Sequence, residues 1–194
     1  MSKTAHHESA HLHVQGQAAY IDDLPLTEGT LHAAPILSTA ASGRILSFDI
    51  SAVLASEGVH AVVTADDIPG DKWLSTFVHD EPVFASQRVD HVGQVLGVVV
   101  ADSHLQARAA AQRAVLTVDA EPALLNARDA QAQNATVLPR VRVQRGDAHA
   151  CMQHAAHHVQ GQLEIGGQEH YYLETQIAYA IPQDNGEWLI HSST

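Results

Sequence analysis

Gly93-Gln94-Val95-Leu96-Gly97-Val98-Val99-Val100-Ala101 is the stretch that decides the fold. It is a nearly continuous apolar run rich in valine, and its core Val95–Ala101 is the longest apolar run in the chain, far too short to cross a bilayer. A short β-branched run bounded by turn residues reads as a strand buried on both faces. Ser103, just beyond it, is a good N-cap for a helix reaching about Ala114, with Leu105, Ala109 and Ala110 as a small-residue face for a sheet. Val115–Val118 reads as the next strand and Glu121-Pro122 as its stop, so 93–118 has the order strand, helix, strand.

Working outward, Leu31–Leu37 and Arg44–Ile50 read as strands joined through Ser42-Gly43. Ser51 caps a short helix over Ala52–Ser56 that Gly58 ends, and His60–Thr64 is a further strand closed by Asp66-Asp67-Ile68-Pro69-Gly70. Toward the N-terminus, Val14–Tyr20 is strand-like, and residues 1–13 form a polar, His-rich tail. Toward the C-terminus, Asn126–Val137 reads as a connector with a short helix, and Asp147–Ala155 as a helix. From 163 to 181, Leu163, Ile165, Tyr171, Leu173, Ile177, Tyr179 and Ile181 fall on odd positions, which predicts a long half-buried strand. Asp184-Asn185-Gly186 is a hairpin signal and Trp188–His191 the returning strand. The chain then stops at Ser192-Ser193-Thr194 with no cap or tail, as expected for a piece of a longer protein.

The composition narrows the function classes. With 194 residues, 45% hydrophobic and only 16% charged, the chain has enough apolar material for a core and too little charge for wholesale disorder. A formal charge of −12 argues against nucleic acid as a partner. The single thiol, Cys151, lies in an ordinary polar helix and excludes internal disulfides and Cys-rich metal sites. The N-terminus lacks the apolar core of a signal peptide, so the expectation is a soluble cytoplasmic protein with no membrane partner.

Few residues read as chemistry. His7-Glu8-Ser9-Ala10-His11 fits H-E-x-x-H, but no amphipathic helix or supporting polar shell surrounds it. His154 and His158 have the spacing of one helical face, without further ligands. Asp22-Asp23, Asp66-Asp67 and Asp80-Glu81 sit beside prolines, where turn formation and solvation explain them. Gly166-Gly167-Gln168-Glu169-His170 mixes flexible backbone with amide, carboxylate and imidazole, and reads either as a bulge leading into the following strand or as part of a site. No phosphate-cradling loop or nucleophile elbow is present. Residues alone therefore reach an α+β domain and no reaction.

Several segments, in order, resemble the molybdenum-binding subunit of the xanthine dehydrogenase and aldehyde oxidase family. Gly16-Gln17-Ala18-Ala19-Tyr20-Ile21-Asp22-Asp23-Leu24-Pro25 is similar to its opening, and His60–Gly70 to its next landmark. Asp80-Glu81-Pro82-Val83-Phe84-Ala85 and Val92–Ala101 follow. Gly166-Gly167-Gln168-Glu169-His170-Tyr171-Tyr172-Leu173-Glu174-Thr175 is the strongest match, with Tyr171 in place of Phe as its one change. The resemblance covers residues 8–194, and His7–Val14 looks like bacterial two-subunit xanthine dehydrogenases.

The resemblance implies a polar tail at 1–13, an α/β-hammerhead domain at 14–123, a connector at 124–137 and the beginning of the first molybdenum-binding domain at 138–194. It implies hydroxylation of hypoxanthine and xanthine to urate with water-derived oxygen. The molybdopterin-type cofactor would sit in the full-length subunit, with iron–sulfur (2Fe–2S) clusters and FAD on a partner subunit and NAD as acceptor. Its partners would be the remaining molybdenum-binding domains, that small subunit and the purine. An aldehyde- or aromatic-oxidising hydroxylase, or a non-catalytic assembly module, are the alternatives. No catalytic, cofactor-binding or metal residue is expected within these 194 residues, and the fragment alone is expected to be inert. Phe77 and Val78 alone are expected near function, at the mouth of the substrate funnel, against plain packing under the hammerhead sheet as the alternative.

For the N-terminal histidines the expected outcome is definite. Equilibrium dialysis of the chain against zinc should show no single tight site at His7, Glu8 and His11, and a tightly held zinc lost on mutating both His7→Ala and His11→Ala would show the motif to be a metal centre.

Overall fold

A computed structural model describes residues 7–75 and 78–193. In chain order the helices are α1 (Ala10–Gln15), α2 (Ser51–Leu54), α3 (His104–Ala111), α4 (Ala127–Ala132) and α5 (Ala148–His154). The strands are β1 (His32–Leu37), β2 (Gly43–Asp49), β3 (Val59–Thr64), β4 (Arg88–Val89), β5 (Val95–Ala101), β6 (Val115–Ala120), β7 (Ala178–Pro182) and β8 (Trp188–Ser192). The chain is α+β, as the sequence predicts. It packs as two compact units, Gly29–Val143 on the one hand and Met1–Glu28 with Gln144–Thr194 on the other. Residues 14–28 belong to the second of these units.

In the Gly29–Val143 unit, β5 is the centre of a sheet of order β1-β5-β3, antiparallel on both sides. No residue of β5 is exposed, as the apolar run requires: Leu96 is 2% and Val99 0% accessible. Leu96 and Val99 join Ile36, Val53, Val89 and Ala110 in the main core. Gly97 is small because it must be, since a Cβ there would lie 2.7 Å from the Val63 carbonyl oxygen of β3. A second sheet has the order β4-β2-β6, also antiparallel. The strand–helix–strand segment 93–118 is therefore not one parallel crossover. Both edges of β5 are already taken by β1 and β3, so β6 joins the other sheet.

Ser103 does cap α3, accepting from the Gln106 N–H at 3.3 Å. The buried face differs from the one expected. Ala107 and Ala110 are buried, while Leu105 is 78% exposed and Ala109 is exposed. The cap fixes the phase of the helix, and positions three apart from Ala107 then face the sheet, where Ala34, Ala101 and Ala107 meet in a close small-residue contact.

Two segments with the same sequence logic fold alike. Ile21–Asp23 and Ala65–Asp67 are 3-10 turns. In each the second aspartate reaches back three residues: Asp23 accepts from the Tyr20 N–H at 2.9 Å and Asp67 from the Thr64 N–H at 2.8 Å. The Asp67 carboxyl is held below its ordinary pKa by the Thr64 backbone N–H first and the Thr64 hydroxyl second. These paired acids are turn caps, as the prolines beside them suggest.

In the other unit, β7 and β8 form the expected hairpin, with Asn185 and Gly186 at φ 66° and 78° in the turn between them. The long strand expected over 163–181 is only Ala178–Pro182, and the Val14–Tyr20 strand is absent, replaced by α1 and the extended chain after Gly16. Alternation proposes a strand, but a strand needs a partner for its N–H and C=O groups. Among the described residues no strand pairs with 163–176, and Ile177 is met by Ser193, whose N–H donates to the Ile177 carbonyl at 3.1 Å just beyond the hairpin; Tyr171 takes φ 56°, and Leu163, Ile165, Tyr171 and Leu173 are 78–92% exposed.

The core assignment has a measurable consequence. Leu96→Ala should lower unfolding stability by about 2–5 kcal/mol in urea denaturation. Leu105→Ala, at an exposed position, should stay within ~0.5 kcal/mol of the parent. Equal effects at the two positions would contradict the assignment.

Candidate functional site

After the Asp67-capped turn the chain runs out as an arm and returns before β4. Its two limbs pair where Trp73 opposes Pro82. The Leu74 N–H donates to the Glu81 carbonyl and the Val83 N–H to the Lys72 carbonyl, both at 2.8 Å. Further out, the Val78 N–H donates to Ser75 Oγ (3.2 Å) and the Asp80 N–H to the Val78 carbonyl (3.0 Å). The Trp73 indole and the His79 imidazole stack with centroids 5.8 Å apart and planes 13° apart. Leu74 and Val78 are 60% and 42% exposed, so Val78 is not packed under the sheet. Phe77, the other funnel residue expected from the sequence, lies outside the described residues.

The strongest sequence motif leads into a different arrangement, inside the unit that joins the N-terminal residues to Gln144–Thr194. Glu174 Oε1 accepts from the Ile21 N–H at 2.7 Å, so it adds a second carboxylate to the turn that Asp23 already caps. The Tyr179 hydroxyl accepts from the Thr27 N–H and donates to Thr27 Oγ1, both at 2.8 Å. His170 stacks on Tyr172 at 5.3 Å, and Gly166–Tyr172 is exposed chain rather than a bulge entering a strand. The structural use of Glu174 was not legible beforehand: its partner is an N–H over 150 residues away, and spacing carries no signal at that range.

Tyr20, Ile21, Glu174, Ile190, His191 and Ser192 line an open cleft of about 460 Å³ in this unit. A molybdopterin-type cofactor carries an anionic phosphate and needs N–H or cationic donors around it. No lysine or arginine lines the cleft, and Glu174 brings negative charge while spending one oxygen on backbone. The cleft does not fit that group.

The remaining flagged side chains do not assemble. α1 begins at Ala10, so His7 and Glu8 precede it and share no helical face with His11; the His7 ring accepts from the Ser9 N–H at 3.2 Å. α5 ends at His154 because Ala155 turns extended, so the His154–His158 face expected from spacing does not form. Each donates instead to a backbone carbonyl, His154 to Ala150 (2.7 Å) and His158 to Ala155 (2.8 Å). Cys151 is exposed on α5. Among the described residues, no three His, Cys, Asp or Glu side chains are placed to share a metal. Arg88 is held in its charged form chiefly by a hydrogen bond to Asp90, then by Glu121, a surface network that ties β4 to the end of β6.

Comparison with known proteins supplies what the geometry does not. Residues 15–122 match the family model described as aldehyde oxidase and xanthine dehydrogenase, a/b hammerhead domain, and residues 128–194 match the molybdopterin cofactor-binding domain. The chain is 40% identical to xanthine dehydrogenase 1 of Arabidopsis thaliana over 183 residues, covering 93% of this chain and 13% of that protein. It is 35% identical to aldehyde oxidase 4 of Rattus norvegicus over 190 residues, covering 97% of this chain and 14% of that protein. Among solved structures, the aldehyde oxidoreductase from Desulfovibrio gigas superposes with a TM-score of 0.83 at 28% identity, over 96% of this chain and 23% of that one. The chain thus spans about one seventh of the curated relatives it matches. It belongs to the aldehyde oxidase and xanthine dehydrogenase family, and carries that family's α/β-hammerhead domain followed by residues of its molybdopterin cofactor-binding domain.

Proposed function

We propose that this chain is the scaffold portion of a purine-oxidising molybdenum hydroxylase, one that converts hypoxanthine and xanthine to urate. What supports the reading is the 40% identity to a plant xanthine dehydrogenase across 93% of the chain, while aldehyde oxidase 4 of Rattus norvegicus at 35% stands level with the xanthine dehydrogenase/oxidase of Mus musculus at 36%. The likeness to an aldehyde oxidoreductase structure supports aldehyde oxidation as a second reading. In either case the cofactor supplies the redox chemistry and the protein supplies binding and orientation. Electrons would leave through iron–sulfur clusters and FAD of a partner subunit, with NAD as acceptor, in the cytoplasm. No helix among the described residues is long and apolar enough to cross a membrane.

Within that enzyme the residues of this chain do mechanical work. The hammerhead sheets hold the 72–83 arm, and Phe77 and Val78 border the funnel to the cofactor. The exposure of Val78 and of neighbouring Leu74 supports this, since apolar side chains left outside a core usually serve a partner surface. The 194 residues alone are inert in this reading.

Two outcomes are expected. The purified chain should hold no stoichiometric molybdenum by elemental analysis and form no urate from xanthine above a blank. In the assembled enzyme, Phe77→Ala and Val78→Ala should each raise KM for xanthine by about 5-fold, the scale of one lost apolar contact, with little change in Tm. An unchanged KM, or a loss of Tm matching the loss of activity, would assign both side chains to packing. A higher kcat/KM for aldehydes than for xanthine in the parent enzyme would favour the second reading.

A further inference from the structure

The first and the last of the ordered family motifs touch each other. Ile21 lies in the Gly16–Pro25 motif and Glu174 in Gly166–Thr175, and the Ile21 N–H donates to Glu174 Oε1 at 2.7 Å. Further along, the Thr27 N–H donates to the Tyr179 hydroxyl, which in turn donates to Thr27 Oγ1, both at 2.8 Å. The anchors come in the same order on both stretches, 21 before 27 and 174 before 179, so the two stretches run in the same direction. Among the described residues, 16–28 hold one 3-10 turn, Ile21–Asp23, and no strand, while the ladder of β7 is formed with β8. Side chains thus hold this segment in the place of a backbone ladder. The segment supplies Ala19, Tyr20, Ile21 and Leu24 to the cleft of about 460 Å³, and β8 supplies Ile190, His191 and Ser192.

We infer that residues 17–28 are a strap along this cleft, fastened by Glu174 and Tyr179 and able to open as one piece. The strap belongs to the unit of Met1–Glu28 and Gln144–Thr194, whereas the family model counts the same residues with the hammerhead domain from residue 15 onward. Glu174 and Tyr179 are positioning residues, and the inference holds whichever substrate the parent enzyme takes. Opening the strap breaks a few side-chain hydrogen bonds. Separating β7 from β8 breaks a ladder that runs from Ala178 and Ser192 to Pro182 and Trp188. The strap therefore opens locally, more often than the hairpin does. Each opening removes one side of the cleft and frees the Glu174 carboxylate and the Tyr179 hydroxyl from backbone.

Amide hydrogen exchange of the full chain, read by mass spectrometry on peptides, tests the strap. In the parent chain the peptide 17–28 should exchange faster than the hairpin peptide 178–192. Tyr179→Phe keeps the ring and its stack on His191 but removes the hydroxyl, and should speed exchange at 17–28 by about 5-fold. Glu174→Ala removes a bond to a carboxylate and should speed it by about 10-fold. Glu174→Gln, whose amide oxygen still accepts from the Ile21 N–H, should stay near the parent. In all three variants the hairpin peptide should keep its protection. Leu96→Ala, in the hammerhead core, should speed exchange at 95–101 and leave 17–28 unchanged. Unchanged exchange at 17–28 in either Tyr179→Phe or Glu174→Ala would overturn the strap. So would equal acceleration at 178–192, which would mean loosening of the whole unit. Glutamine no better than alanine at 174 would remove the anchoring bond from the account and overturn it. Acceleration of 17–28 by Leu96→Ala would return the segment to the hammerhead domain, with the same result.

Discussion

The double pairing of β5 is the constraint from which the larger unit follows. A strand with hydrogen-bonded neighbours on both edges and no exposed residue leaves room for only certain partners. Gly97 lets β3 approach to a distance that a side chain would forbid. Ala101 lets α3 settle against the sheet through Ala107. Leu96 and Val99 tie β5 to Val53 of α2 and to Val89 of β4, and so bring the second sheet into the same core. With both its edges occupied, the chain that follows has to leave the sheet, and β6 pairs β2 elsewhere.

Short-range electrostatics then fix the turns. The two Asp-Asp segments use their second carboxylate on an N–H three residues back, which shapes a 3-10 turn before the proline takes over. At the N-terminal copy a further carboxylate, Glu174, adds itself from a distant part of the chain. That bond and the Tyr179–Thr27 pair both join residues before Glu28 to the C-terminal part of the same unit, although the hammerhead family model begins at residue 15. A motif that reads like a catalytic constellation is here partly a fastening, since its glutamate holds backbone.

In the proposed reading, this chain contributes scaffolding and presentation. The hammerhead unit offers an arm with an aromatic stack at its base and apolar side chains further out, and among the described residues no three His, Cys, Asp or Glu side chains are placed to share a metal. In enzymes whose cofactor does the chemistry, such surfaces set access and orientation. The strongly acidic balance of the chain, −12 overall, does not suit a nucleic acid as a direct partner.

What the sequence by itself determined is everything decided within a few residues. The strand at 95–101, the Ser103 cap, the Asp-Asp-Leu-Pro and Asp-Asp-Ile-Pro turns and the Asn-Gly hairpin all rest on local sterics, local hydrogen bonds or an unbroken apolar run. The ordered family motifs added what no single residue pattern contained. Tertiary structure alone decided which edges of β5 were filled, which face of α3 was buried, and that Glu174 would serve a turn over 150 residues away. It also decided that the alternating stretch at 163–177 would not become a strand. Alternation records a preference for two faces, whereas a strand exists only where another strand completes its hydrogen bonds, and that partner is a property of the folded chain rather than of the segment.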